Sequence, residues 1–446
     1  MARRRRPWGG RKLFAPPRVL QDWDTIPEEM SSKYWELFLD LLLVAASSSV
    51  AEVLKSDRSW SGVREFLVLY FVLVNGYTMY SPHITTRFDD SSLYHSVLLF
   101  PYLLGIVLCA IFCGFRVASK FALGALLQRI VILWILSGIY RHVERARAFC
   151  VNFGVLVVVS TLVLSIAAVA PSQQNLAVPA LYAVAVLETV GPYIMSRFLT
   201  PRQAIPINID HTTDRLGCLV LVMLAETVVS ATIFYRNLYI SSTTSVDLLR
   251  YYWTLGLSFL LIFSFTLLYF HVQPESNDSG YHRSRYRGMF LFLVHSLLGA
   301  ALLGVGVSVR LMVEAATRGT TMTEFDSVLS SCSVGFALLF LFLIRVLHYG
   351  GMDHSGRSFP PVVFVVFNLW WCTLSGFSLI PFLLIFARIT DPLVSVSVYS
   401  GLVVTLCVTE SAYTHFLQKH MNLSNDDELD RLESNPVTSY DSIQTK

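Results

Sequence analysis

Apolar runs of roughly twenty residues, separated by short polar links, recur from residue 34 to residue 416. A helix needs about 20 such residues to cross the hydrocarbon core of a bilayer. Inside that core every backbone polar group must be satisfied within its own segment, which favours helices. The runs are 34–54, 64–82, 93–115, 117–139, 148–170, 175–197, 213–235, 250–271, 288–313, 328–348, 361–388 and 392–416. The third abuts the fourth and the eleventh abuts the twelfth, so the expected fold class is all-α, a polytopic transmembrane helical bundle of about 10–12 spans. Composition agrees: 15% of residues are charged and 54% hydrophobic, against about 25% charged in soluble domains.

Three parts follow from this pattern: a basic tail over 1–33, a helical membrane domain over 34–417 and an acidic, Ser-rich tail over 418–446. The first tail holds Arg3, Arg4, Arg5 and Arg6 and no apolar stretch of the kind a cleavable leader needs. Basic residues before a first span mark the cytosolic side and suit anionic headgroups, so a nucleic-acid partner is not expected. With an even span count both termini are expected to be cytosolic. The last tail lacks the apolar residues to fold and reads as disordered. Its Tyr440-Asp441-Ser442-Ile443 fits a tyrosine-based adaptor signal, which favours the plasma membrane or endosomal system. The sequons at Asn277 and Asn422 fall on the expected inner side and should carry no sugar.

Charged residues inside spans are the natural site candidates, because a charge facing lipid costs about 3 kcal/mol or more. Glu36 and Asp40 open the first span, four residues apart and so on one helix face. Glu226 lies deep in the seventh span and needs a partner from another helix; Asp40, His295 and Arg129 are the candidates. Arg129 is mid-span and most simply neutralises one of these acids, with Glu188 as the other half of such a pair. His295 reads either as a proton acceptor or as a satisfied core histidine. Glu36, Asp40, Arg129, Glu226 and His295 therefore form the expected polar intramembrane site. Arg87 and Asp89 suit a loop latch or gate, and His211, Asp214 and Arg215 a helix start anchored at the interface.

Other chemistries are excluded or unsupported. The seven cysteines show no Cys-x-x-Cys or Cys/His spacing, so neither a metal nor a disulfide framework is expected. No cofactor motif is present, no phosphate-binding G-x-x-x-x-G-K-[ST] loop, no potassium filter, and no lysine in the interior of a span. His348, Asp353 and His354 match no standard ligand pattern.

Several segments resemble the bacterial low temperature requirement A (LtrA) family. Glu36-Leu37-Phe38-Leu39-Asp40-Leu41 resembles its E-L-F-F-D-L signature, and Arg87-Phe88-Asp89-Asp90 its R-F-D segment after the second span. His211-Thr212-Thr213-Asp214-Arg215-Leu216 through Leu224-Ala225-Glu226 is similar to its H-x-x-E-R-x-x-L…L-G-E segment, and His295 falls where the family often has a histidine. Thr86, Ser91, Asp214 and Ala225 depart from the pattern, which suggests a divergent member, with tails of a eukaryotic kind. The resemblance implies a multi-pass membrane protein and no defined reaction. The functional expectation is movement of protons, cations or a small solute through the acidic intramembrane site. A non-catalytic scaffold or sensor is the alternative, and a membrane-embedded enzyme the second alternative, less favoured. The bilayer is the expected partner, and a homo-oligomer is compatible with the pattern. Six spans per half invite a duplication, with Glu36 and Asp214 opening the two halves.

Overall fold

The computed structural model describes residues 16–20, 34–89, 92–169, 174–200, 203–241, 248–273, 280–349 and 361–434. The arginines at 3–6, the sequon at Asn277 and the Tyr440 signal lie outside them.

Each of the twelve apolar runs forms a helix: α1 (Tyr34–Ser56), α2 (Trp60–Tyr80), α3 (Leu93–Ile111), α4 (Ala118–His142), α5 (Arg147–Val169), α6 (Gln174–Ser196), α7 (Ile209–Ser241) and α8 (Leu248–Val272). A single turn, α9 (Gly280–Arg283), precedes α10 (Arg285–Arg318), α11 (Glu324–Tyr349), α12 (Pro361–Ala387) and α13 (Pro392–Ser434). Among the described residues, ten of these long helices hold a stretch long and apolar enough to cross a bilayer; α2 and α7 are not among them. The exception has a physical reason in α2, whose second half from Val72 is buried almost entirely in protein and tolerates Asn75, Thr78 and Ser81. The helix α10 is the most deeply packed span and touches α1, α2, α7, α8, α11 and α13.

Helix ends are fixed by local chemistry. Ser59 and Ser92 cap α2 and α3, their hydroxyls accepting amide hydrogen bonds. Thr323 and Asp326 cap α11 reciprocally, each side chain accepting from the other's amide. Gly319 ends α10 in the left-handed region, φ 66°. Beyond Tyr80, α2 widens into a π-helical turn, Ser81–Thr85, because Pro82 has no N–H to continue the ladder. A two-residue antiparallel pair follows, Arg18–Val19 against Phe88–Asp89, and ties the N-terminal segment to the α2–α3 link.

One difference from the sequence reading concerns the last helix. It continues to Ser434, so residues 422–434 are helical where composition predicts disorder. No glycine or proline interrupts the chain between Pro392 and Ser434 except Gly401, and the helix simply propagates.

Candidate functional site

The charged residues of the spans meet as separate ion pairs, not as one acidic site. Two helices far apart in sequence, α1 and α7, run side by side in parallel and share three of them. At their starting ends Glu36 Oε2 lies 3.0 Å from His211 Nε2. One turn on, Asp40 takes both arms of Arg215, at 3.0 Å from Nη1 and 2.5 Å from Nη2. Such forked contacts fix orientation as well as charge. Tyr77 donates to Asp40 Oδ1 at 2.9 Å, and Ser81 of the π turn accepts from Arg215 Nε at 2.7 Å. Near the far end of α1, Lys55 Nζ reaches Glu226 Oε1 at 3.1 Å. Asn208 supports the seam by capping α7, its Oδ1 accepting from the His211 amide.

This arrangement corrects two expectations. The partner of Glu226 is Lys55, not Asp40, His295 or Arg129. Lys55 reads as a loop residue in the sequence, yet it sits in the last turn of α1 with its side chain 5% exposed, so the expectation of spans without lysine fails here, as it does at Lys120 in the first turn of α4. Arg215 is a fully buried ion-pair partner rather than an interface anchor, while Asp214 immediately before it faces outward.

Arg129 and Glu188 pair as expected, in the middle of α4 and α6. Arg129 Nε and Nη2 reach the two Glu188 oxygens at 2.9 Å and 2.5 Å. Nη2 also donates to the Val72 carbonyl at 2.6 Å and Nη1 to Gln128 Oε1 at 3.2 Å. Both side chains are wholly buried, where leaving either charge alone would be costly. Gly76 permits this: a Cβ there would collide with Gln128 Oε1 and Arg129 Nη1. A fifth buried pair joins Arg345 of α11 to Glu410 of α13, with Trp370 stacked over the guanidinium.

His295 stands apart from the acids. Its Nδ1 is 2.6 Å from the Leu291 carbonyl and its ring meets the Tyr269 edge, the geometry of a packed core histidine. Arg87 bonds the His83 carbonyl at 2.7 Å and lies over the Phe149 ring; the side chain of Asp89 is outside the described residues.

What the sequence did not point to is a cavity of about 420 Å³ between α2, α5, α6, α10 and the α6–α7 link. That is the size of a small-molecule site, and such sites join apolar walls to a few polar groups. Phe153, Pro192, Met195, Ile205, Phe292 and Leu293 line it. At its inner end are Asn75, Glu188, Thr189 and Ser296; at the opposite end, beside the starts of α5 and α7, are His83, Arg87 and Asp210. Asn75 is held by Thr189 Oγ1 at 3.0 Å and Glu188 by Arg129, so the inner end is polar but carries no uncompensated charge. Beyond it Tyr70 donates to the Ser296 carbonyl at 2.8 Å, and Tyr70 and Met223 close over Gly299. Among the described residues no group of three or more His, Cys, Asp or Glu side chains is placed to hold a metal ion. Of the residues expected to carry function, only Arg87 lines the cavity, together with Glu188 from the buried pair. The missed signals were the mid-span Asn75 and the Pro82-His83 break at the end of α2.

Comparison with curated proteins and with solved structures finds no match. The family model for bacterial low temperature requirement A protein (LtrA) matches residues 32–398, from the start of α1 into α13 and across every ion pair but Arg345–Glu410, whose glutamate lies beyond its end. The chain belongs to the LtrA family of multi-pass integral membrane proteins.

Proposed function

We propose that this membrane protein binds a small amphipathic solute in the cavity between α2, α5, α6 and α10 and moves it across the bilayer. The observation that carries the reading is the cavity itself, apolar along its walls and polar at its inner end. It runs from the starts of α5 and α7 to Ser296, whose carbonyl accepts from Tyr70 midway along α2. A carrier caught with its site open to one side has this form.

The same geometry argues against the acids as a path for bare protons or cations. Asp40, Glu188, Glu226 and Glu410 are each held by a lysine or arginine, and a cation would have to displace that partner. The ion pairs serve better as latches. At the far ends of α1 and α10, Arg58 meets Glu314 at 3.2 Å and Asp326 at 3.7 Å, and Arg310 approaches Glu52 at 3.9 Å. These contacts bind α1 and its following loop to α10 and α11 on the side away from the α6–α7 link.

A second reading, a scaffold or sensor without turnover, draws support from the same complete pairing of buried acids. Native mass spectrometry of the purified full-length protein separates occupancy from emptiness. Wild type should release a co-purifying small molecule on denaturation, and Ala204→Trp, which fills the cavity from the α6–α7 link, should not. Identical spectra for the two proteins, with the variant's melting temperature unchanged, would remove the solute site and leave the scaffold.

A further inference from the structure

The helices on either side of the α6–α7 link repeat one plan. In the first half α1 packs on α2 and α3, α3 on α4, α4 on α5, α5 on α6, and α2 on both α4 and α6. In the second half α7 packs on α8 and α10, α10 on α11, α11 on α12, α12 on α13, and α8 on both α11 and α13. Taking α10 as the third long helix of its half, every one of these neighbours corresponds; the packing of α4 on α6, and of α10 on α8 and α13, is stronger in one half than in the other.

Charged residues follow the same plan. The acids of α1 are Glu36, Asp40 and Glu52, and those of α7 are Asp210, Asp214 and Glu226. Both sets are spaced by four residues and then by twelve. In each half an arginine on the fourth long helix pairs with a glutamate on the sixth: Arg129 with Glu188, and Arg345 with Glu410. The first helices of the two halves meet each other in parallel, as two units related by an axis along the membrane normal would place them. Chance does not readily supply the packing order, the acid spacing and the Arg–Glu pair together.

The cavity completes the comparison. It is bounded in the first half by the second, fifth and sixth helices, with the paired Glu188 at its inner end. In the second half the second, fourth, fifth and sixth long helices surround a gap of about 20 Å³ that touches both members of the other pair, Arg345 and Glu410. Leu268, Phe342, Leu374, Ser378 and Leu406 close around it. That volume holds about one water molecule.

We infer that the chain is two copies of a six-helix unit, and that the gap beside Arg345–Glu410 is the second copy of the solute site, shut in the conformation described. It takes the same class of ligand as the open cavity, a small molecule with an apolar body and a hydrogen-bonding end. This rests on the solute-carrier reading for its ligand class, but the existence of a second, openable site can be tested without it.

The test is thiol accessibility in the full-length protein with its seven cysteines replaced. Single cysteines are introduced as Ser196→Cys in the open cavity, Ser378→Cys at the gap and Ala337→Cys in the packed core of α11. The probe is a small cationic methanethiosulfonate, in membranes, after each variant is shown to be monodisperse with an unchanged melting temperature. Ser378→Cys should react at least tenfold faster than Ala337→Cys and more slowly than Ser196→Cys. A rate for Ser378→Cys equal to that of Ala337→Cys would overturn the inference. An empty cavity by mass spectrometry with a reactive Ser378→Cys would instead defeat the carrier reading and leave the second site standing.

Discussion

Replacing Glu188 with glutamine removes the negative half of the Arg129 pair without changing its shape. Both side chains are wholly buried, and Arg129 already donates to Glu188, Val72 and Gln128. Breaking a buried ion pair from one side costs about 3–5 kcal/mol, chiefly because the remaining charge stays buried. An unfolding entropy of about 2.1 cal/mol/K per residue, over a chain of 446 residues, means that each kcal/mol moves the melting temperature about 1 °C. Glu188→Gln and Arg129→Gln should therefore each lower the apparent melting temperature in detergent by about 3–5 °C. The double variant leaves two neutral amides where two charges stood, and it should lose clearly less than the sum of the single losses. Tryptophan fluorescence during a thermal ramp gives the three values. Single losses under about 1 °C, or losses that simply add in the double variant, would refute the claim that this pair is a buried, mutually dependent unit.

Two further outcomes follow from the packing and from the loops. Gly76→Ala should destabilise the protein although alanine is the better helix former by about 1 kcal/mol, because its Cβ would push into Gln128 and Arg129; a higher melting temperature would contradict the close approach. Asp391, at the start of α13, feels burial first, which raises its pKa. The Val394 amide and the Arg250 guanidinium outweigh that and hold the carboxyl below the usual range. A carboxyl lowered on folding contributes stability above its unfolded value of about 3.9 and loses it as pH falls below that. Wild type should thus melt above Asp391→Asn at pH 6, and the gap should narrow progressively as pH falls below about 4; a gap independent of pH would show that ionisation of Asp391 contributes nothing.

Much of the fold was legible because the membrane makes the code simple. Runs of Leu, Val, Ile and Phe at spanning length placed all twelve long helices, and the family resemblance through Glu36, Asp40, His211, Arg215 and Glu226 agrees with the family match. The pair Arg129–Glu188 could be read as well, since two lone opposite charges deep in spans have few other partners. The remaining partners could not. Spacing along one helix says which residues share a face, but not which helix lies opposite. Asp40 finds Arg215, and Glu226 finds Lys55, only once α1 and α7 are known to be neighbours. Lys55 misled further because a lysine at the end of an apolar run looks like a loop residue. The cavity draws its lining from α2, α5, α6 and α10, the starts of α7 and α9, the π turn and the α6–α7 link, mostly as ordinary apolar residues, and no single stretch announces it. The tail after residue 421 read as disordered because composition carries no record of the helix that leads into it.

A carrier needs the cavity to be a route as well as a pocket. The direct measurement is exchange of the co-purifying molecule, isotopically labelled, across proteoliposomes holding the purified full-length protein. Saturable exchange by wild type, abolished by Ala204→Trp and unaffected by an imposed pH gradient, is the predicted result. Exchange no faster than in protein-free liposomes, from a protein that still binds the molecule, would contradict it and make this family member a receptor or scaffold.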